Sequence, residues 1–385
     1  MPQEKGRRTA AQGEVNRIQG NYSEAINCFS AALSDLAEAA QSSSAAAERR
    51  ERRRIWLLAH RGAAYGAMLA IEEAHKDLED AIKARKSPYP WALAQLGEAH
   101  RLFALGCMAK LDRKDLWDHL SLSIHYFNQG IKHKPGDPWA HAHRGATYAN
   151  AYWAARRLAE LDFDLCMFGE PTAGGPEVLG VEVSEVLEHA VPRLLQEKPE
   201  TLAKRANEDF QRAFELSPGY AWAYGFHAFQ LVLEDKFESA MAQLGKAQIF
   251  DVNLRMSVQM LRNMAKLWSY QKQYDLSVKA AWLALQKNPA DLVAAYFVAV
   301  GLKKQNDPTA PLAIRQTRQL LETAQVGIEY MRLSLDQLEG KLSGDKLDSE
   351  LKSVLERGDI EVKSIFFHDP TWDDQENRRK AAFSR

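Results

Sequence analysis

The sequence predicts an all-α protein, a solenoid of paired antiparallel helices, and three observations carry that prediction. A seven-residue string occurs twice, as Ala59-His60-Arg61-Gly62-Ala63-Ala64-Tyr65 and as Ala142-His143-Arg144-Gly145-Ala146-Thr147-Tyr148. Catalytic motifs are rarely duplicated in one chain, whereas structural units often are. A second pattern follows each such string and recurs along the chain: a small residue, a large apolar residue four positions on, then a small and an apolar residue at seven and eight. That spacing is one face of an α-helix. Prolines at 135, 218 and 289 close several units, because proline cannot continue a helix.

Each unit therefore reads as helix A, a turn, helix B and a stop. The helix-B pattern is Ala25, Phe29, Ala32, Leu33 in the first unit, then Ala74, Leu78, Ala81, Ile82, then Ser123, Phe127, Gly130, Ile131. It continues as Ala206, Phe210, Ala213, Phe214, then Ala240, Leu244, Ala247, and a weaker Ser277, Ala281, Ala284, Leu285. Glycines in helix A (Gly13, Gly62, Gly97, Gly145) let the neighbouring helix approach closely. The spacing between units locates insertions. Ala32 to Ala81 is 49 residues, with the excess in 36–54, a Ser/Ala stretch followed by the run Arg49-Arg50-Glu51-Arg52-Arg53-Arg54. A solvated helix start is the plain reading of that run, and a phosphate or acidic-partner patch the sharper one. Ala81 to Gly130 is again 49, and the extra residues, 104–118, predict an extended hairpin tipped near Asp112.

Gly130 to Ala213 is 83 residues, which places a large insertion at about 155–199 in the fourth repeat. It holds the loop-like Gly169-Glu170-Pro171-Thr172-Ala173-Gly174-Gly175-Pro176, followed by a short helix over 184–196. Insertions in solenoids map to loops on one face, so this one is expected to govern partner choice and to be dispensable for folding. After Ala310 the phase is lost. Residues 312–338 read as a long helix, 347–357 as a shorter one, and 360–367 as extended. The expected organisation is a solenoid over 1–305, capping helices over 306–358 and an extended or disordered tail over 359–385.

The unit resembles the tetratricopeptide repeat, whose period is 34 residues. The resemblance lies in Gly20-Asn21-Tyr22-Ser23-Glu24-Ala25-Ile26, Ala213-Phe214-Glu215-Leu216-Ser217-Pro218, Asp235-Lys236-Phe237-Glu238-Ser239-Ala240 and Leu285-Gln286-Lys287-Asn288-Pro289. Ala213 to Ala247 is 34 residues and Gly62 to Gly97 is 35. The match covers roughly residues 6–305 and implies a right-handed superhelix with helix A lining a concave groove. Family members that clamp a chaperone's C-terminal carboxylate do so with Lys, Asn and Arg. The first equivalent positions here, Ala10, Glu14, His60, Trp91 and Gln95, depart from that set. The Arg-Gly-x-x-Tyr style, and the Asp-Pro-x-Trp segment ending at Trp372, resemble arrays of bacterial signalling and defence proteins. Those are often paired with a separate effector such as a caspase-like peptidase.

Composition narrows the function classes. The 385 residues carry 50 Lys plus Arg against 51 Asp plus Glu, a net charge of −1. That balance sets nucleic acid aside as the expected partner, since dedicated binders carry a basic excess. Cys28, Cys107 and Cys166 are odd in number and form no CxxC pair, which fits a reducing, cytoplasmic setting without a disulfide framework. No signal peptide is read at the start, and the richest apolar run, 293–302, is far below the ~20 residues that span a bilayer. No phosphate loop, dinucleotide fingerprint, HExxH or GxSxG motif is present. His60 and His143 hold equivalent repeat positions and read as structural, and His141 faces a different side from His143. Cys166 and His189 share the large insertion, but a nucleophile pair needs contact that nothing in the sequence provides. Glu160, Asp162, Asp164 and Glu170 form an acidic cluster without metal-like convergence.

The expected function is a non-enzymatic protein-interaction scaffold, adaptor or regulatory subunit, with no cofactor and no metal. Its partner would be a protein or peptide, possibly a separate effector enzyme, and not a membrane. The alternative is an RNA-binding helical solenoid; an enzyme built in the insertion ranks third. The candidate groove residues are Trp56, Trp91, Trp139, Trp222, Tyr270 and Tyr296. Aligned on the glycines, the four tryptophans fall at the second position of helix A. Tryptophan is a frequent interface hot spot, and equally a residue that stiffens a helix stack.

Overall fold

The computed structural model describes residues 2–38, 44–110, 113–160, 194, 196–234, 236–250, 261–262, 264–265, 268–269, 272–323 and 328–342. Among the described residues the regular structure is entirely helical. The insertion core 161–193, including Cys166 and His189, and the expected segment 347–385 lie outside them. Two compact units divide between Arg205 and Ala206. The first holds α1 (Pro2–Ile18), α2 (Tyr22–Glu38), α3 (Ser44–Ala67), α4 (Ile71–Lys83), α5 (Pro90–Lys110), α6 (Arg113–His133) and α7 (Pro138–Glu160). The boundary falls within α8 (Pro199–Leu216). The second holds α9 (Ala221–Leu233), α10 (Phe237–Phe250), α11 (Tyr274–Lys287), α12 (Leu292–Lys304), α13 (Ala310–Thr323) and α14 (Ile328–Leu338).

In the first unit α1 pairs with α2, α3 with α4 and α5 with α6, and the helices α1, α3, α5 and α7 touch in succession. The helix-B pattern is what makes this packing possible. Ala25, Ala74, Ala81, Ser123, Ala206 and Ala213 have no exposed surface, nor do the large residues between them, Phe29, Leu78, Phe127 and Phe210. Small side chains bring the helix axes close, and the large ones fill the space that remains. The helix-A glycines complete the contact. A Cβ on Gly13 would stand 2.8 Å from the Phe29 ring, and one on Gly97 2.9 Å from the Phe127 ring. Gly97→Ala should therefore cost ~1–3 kcal/mol through overpacking. Gly245, inside α10, has nothing within 4 Å of its would-be Cβ, so Gly245→Ala should stabilise by ~0.5–1 kcal/mol. Urea midpoints of the two variants should move in opposite directions.

The turns from helix A to helix B share one geometry. Gly20, Leu69, Lys272 and Asn306 adopt positive φ, between 56° and 80°. In each case the next residue donates its N–H to a carbonyl five positions back: Asn21 to Asn16 at 2.7 Å, Ala70 to Tyr65 at 3.1 Å, Gln273 to Trp268 at 2.8 Å, Asp307 to Leu302 at 2.9 Å. That bond closes the helix C-terminus and reverses the chain. Gly20 and Asn306 are residue types that favour this geometry, whereas Leu69 and Lys272 are not.

Two local expectations change. Residues 312–338 do not form one helix: α13 and α14 pack on each other, and Arg318 of α13 pairs with Asp336 and Glu339 at the end of α14. Trp56 is not the second residue of its helix, as Trp91, Trp139 and Trp222 are, because α3 begins at Ser44. The stretch 44–54 is rich in Ala, Glu and Arg, strong helix formers that carry α3 upstream of the expected start. Its arginines are partly paired, Arg54 with Glu51 at 2.8 Å and Arg52 with Glu48 at 3.5 Å.

Candidate binding face of the first unit

The A-type helices of the first unit carry one side-chain module twice. In the first copy, Glu14 and Arg17 lie one turn apart on α1, and both Arg17 Nε and Nη2 donate to the Glu14 carboxylate at 2.8 Å. The same carboxylate stands 2.7 Å from His60 Nδ1 on α3. His60 stacks on Trp56, one turn back on α3, with ring centres 4.0 Å apart. Its other face stacks on Trp91 of α5 at 4.4 Å, so three rings form a column across two helices. The Arg17 guanidinium sits 5.8 Å over the Trp91 ring. Phe29 of α2 meets Trp56 edge-on at 5.9 Å and supports the column from behind.

The second copy repeats these parts. Arg101 donates twice to Glu98 on α5, at 2.7 and 2.8 Å. The carboxylate stands 2.8 Å from His143 Nδ1 on α7, and His143 stacks on Trp139 at 4.0 Å. Phe127 of α6 takes the place of Phe29, 6.1 Å from Trp139. Glu14 and Glu98 are 84 residues apart, Trp56 and Trp139 83. The repeating unit of this face is thus two hairpins long. In the hairpin between, Gly62 is followed by Ala63 and Gly66 where Gly13 and Gly97 are followed by glutamate and arginine. There Arg61 pairs instead with Asp77 of α4, at 2.6 and 2.9 Å.

The copies differ in burial, and this sets their chemistry. Arg101 is 1% exposed, whereas the side chains of Glu14 and Arg17 keep about a quarter of their surface. Burial alone would raise both carboxyls. For Glu14 the hydrogen bonds from Arg17 and His60 outweigh it, and for Glu98 the charges of Arg101 and His143 do. Each is held at about 2. Both glutamates are therefore firmly ionised anchors, and neither is poised as a general acid near neutral pH.

Trp56, Trp91 and Trp139 are half-buried members of these modules. In the second unit Trp222 is also half-buried and stacks on Phe226 at 4.7 Å, phenylalanine standing where the first unit has histidine. Tyr296 is half-buried on α12, beside Phe297 and against the apolar core of that unit. Tyr270 lies outside the described residues. The sequence placed Glu14 and His60 at groove positions without pairing them, and passed over Arg17, Glu98 and Arg101, although Gly-Glu-x-x-Arg recurs at 13–17 and 97–101. Among the described residues no group of His, Cys, Asp and Glu is arranged to hold a metal ion, and no helix is long and apolar enough to cross a membrane.

No protein-family model matches this sequence, and no curated protein matches it. Solved structures do. A monomeric mutant of IFIT1 with Gppp-AAAA is similar at 13% identity and a TM-score of 0.45, over 90% of this chain and 68% of that one. Human IFIT1 dimers with PPP-AAAA and with m7Gppp-AAAA are similar at 15% and 14% identity, with TM-scores of 0.43 and 0.44, over 95% of this chain and 77% of theirs. The expectation that set nucleic acid aside does not stand: the similar structures just named are complexes with Gppp-AAAA, PPP-AAAA and m7Gppp-AAAA. A balanced net charge is no ground for excluding such a ligand, because it says nothing of how charge is placed on one face.

Proposed function

We propose that this chain is a non-enzymatic binding scaffold whose first unit holds single-stranded RNA. The observation that carries the reading is the planar column Trp56–His60–Trp91 with the Arg17 guanidinium over its end. Proteins that bind single strands combine aromatic faces for base stacking with cationic groups for the backbone. Further guanidinium–aromatic contacts in the same unit, Arg61 with Tyr65, Arg85 with Tyr89 and Arg205 with Tyr148, offer the same pairing elsewhere on it. The Glu14 and Glu98 networks fix the rings in place, so little ordering is left for the ligand to bring about.

Anisotropy of a short labelled single-stranded RNA, titrated with the protein across a salt series, tests this. Binding at low salt that weakens with a slope of roughly 0.7 per phosphate contacted is the expected result. Absence of binding at low salt would end the reading. The second reading is a protein or peptide ligand, since tryptophan and arginine are also the residues that dominate protein interfaces. On that reading the oligonucleotide is ignored, and a co-purifying protein stays bound as salt rises.

A further inference from the structure

Three histidines on consecutive helices of the first unit touch in a line, and the line plays no part in the binding face. His75 lies on α4, His100 on α5 and His119 on α6, and none is more than 4% exposed. His119 Nδ1 stands 2.8 Å from His100 Nδ1, and His100 Nε2 stands 3.3 Å from His75 Nδ1. His75 Nε2 is 3.2 Å from Glu79 Oε1, one turn on along α4. Tyr126 lies flat on His100 at 5.5 Å, and Phe103 packs on His119 at 4.5 Å.

We infer that His119, His100 and His75 form a directional hydrogen-bond chain whose last member faces Glu79, and that this chain is an acid-sensitive lock between α4, α5 and α6. The direction follows from the last member. An ionised carboxylate only accepts, so the hydrogen on His75 belongs on Nε2, facing Glu79. His75 Nδ1 then accepts from His100 Nε2–H, and His100 Nδ1 accepts from His119 Nδ1–H. In that arrangement His100 and His119 are neutral, and each imidazole–imidazole contact joins one donor to one acceptor. One more proton on His100 or His119 would put two hydrogens between facing nitrogens and leave a buried cation.

The surrounding charges support neutrality. Glu79, also bound by Lys83 at 2.7 Å, is held at about 2, first by the His75 hydrogen bond. Burial pushes His119 down to about 3, and pushes His100 well below its ordinary value, with the neighbouring imidazoles adding to the effect. Two other acidic groups on these helices pair elsewhere: Asp77 with Arg61 of α3, and Glu98 with Arg101 of its own helix and with His143 of α7. Asp118, buried on α6, precedes His119. In the unfolded chain His100 and His119 take their protons near 6.5. Below that value the unfolded chain binds more protons than the fold, so stability falls as pH falls from about 6.5 towards 3. Because α5 also carries Trp91 and Glu98, loosening the lock would disturb the binding face.

Nitrogen-15 spectra of histidine-labelled full-length protein test the chain without any variant. Expected are Nε2–H tautomers for His75 and His100 and the Nδ1–H tautomer for His119, with His100 and His119 still neutral at pH 5.5. Assignment uses His75→Gln, His100→Gln and His119→Phe. A native His100 or His119 that titrates near 6.5, or the opposite tautomers, would overturn the inference. Melting between pH 7 and 5 gives a second readout. The wild type should lose on the order of 10 °C, and His119→Phe should flatten that slope. An unchanged slope in a folded His119→Phe protein would also count against the lock.

Discussion

Glu98→Ala should destabilise the first unit by about 3–5 kcal/mol, the range for removing one partner of a buried ion pair. The Arg101 guanidinium is almost fully buried and holds two hydrogen bonds to this carboxylate, and His143 of the next A-type helix holds a third. Their loss strips the neutralising charge from a group that cannot give up its proton. Glu14→Ala, in the more exposed copy, should cost only about 1–2 kcal/mol, because water can reach Arg17. Urea unfolding of the two variants side by side measures the difference. Both glutamates also fix a pH window. Their folded values near 2 lie below the unfolded value of about 4.3, so their stabilisation is complete above that value. It is lost as pH falls from there towards 2, a window whose upper part overlaps the acid end of the range in which the histidine chain acts.

Truncation after Asn306 should melt the second unit and cause aggregation. Ile314 and Leu321 of α13 and Leu335 of α14 are at most 5% exposed and share one apolar cluster with Ala280, Ala281, Phe297 and Val298. Removing three such side chains costs roughly 5 kcal/mol or more by burial alone, comparable to the whole stability of a domain. Phe297 and Val298 would then face water, an apolar surface prone to association. Size-exclusion chromatography and calorimetry of the truncated chain should show large species and no second-unit transition. A monomer that melts like the full chain would show that α13 and α14 are dispensable.

The hairpin architecture was legible because it rests on local spacing. Alanine at the closest approach and phenylalanine or leucine between recur on one face of each helix B, and buried positions such as Ala25, Phe29 and Ala32 follow that pattern directly. Contacts that join distant segments were not legible. Glu14 and Arg17 look, in sequence, like an exposed pair on one helix, and only the fold brings His60 to them from 46 residues away. His75, His100 and His119 sit 25 and 19 residues apart, a spacing with no local meaning. The turns at Leu69 and Lys272 were hidden for a different reason. Their positive φ is imposed by the hairpin they close, on residues that carry no turn signal of their own. The tryptophans were found by repeat alignment, but their stacking on histidine was not, because a lone His on a helix face has many uses.

On the proposed function the Trp56–His60–Trp91 column is a surface for ligand as well as a brace between helices. Affinity for single-stranded RNA of the wild type and of Trp91→Ala, measured at one low salt concentration alongside the melting temperature of each, tests it most directly. The account predicts an affinity loss of about thirtyfold, or ~2 kcal/mol, in the folded fraction of Trp91→Ala. The stability cost should be no more than about 1–2 kcal/mol, because the ring is half-buried. A variant that loses ~3–5 kcal/mol of stability while its folded fraction binds RNA as tightly as the wild type would contradict it, and would leave the column a brace alone.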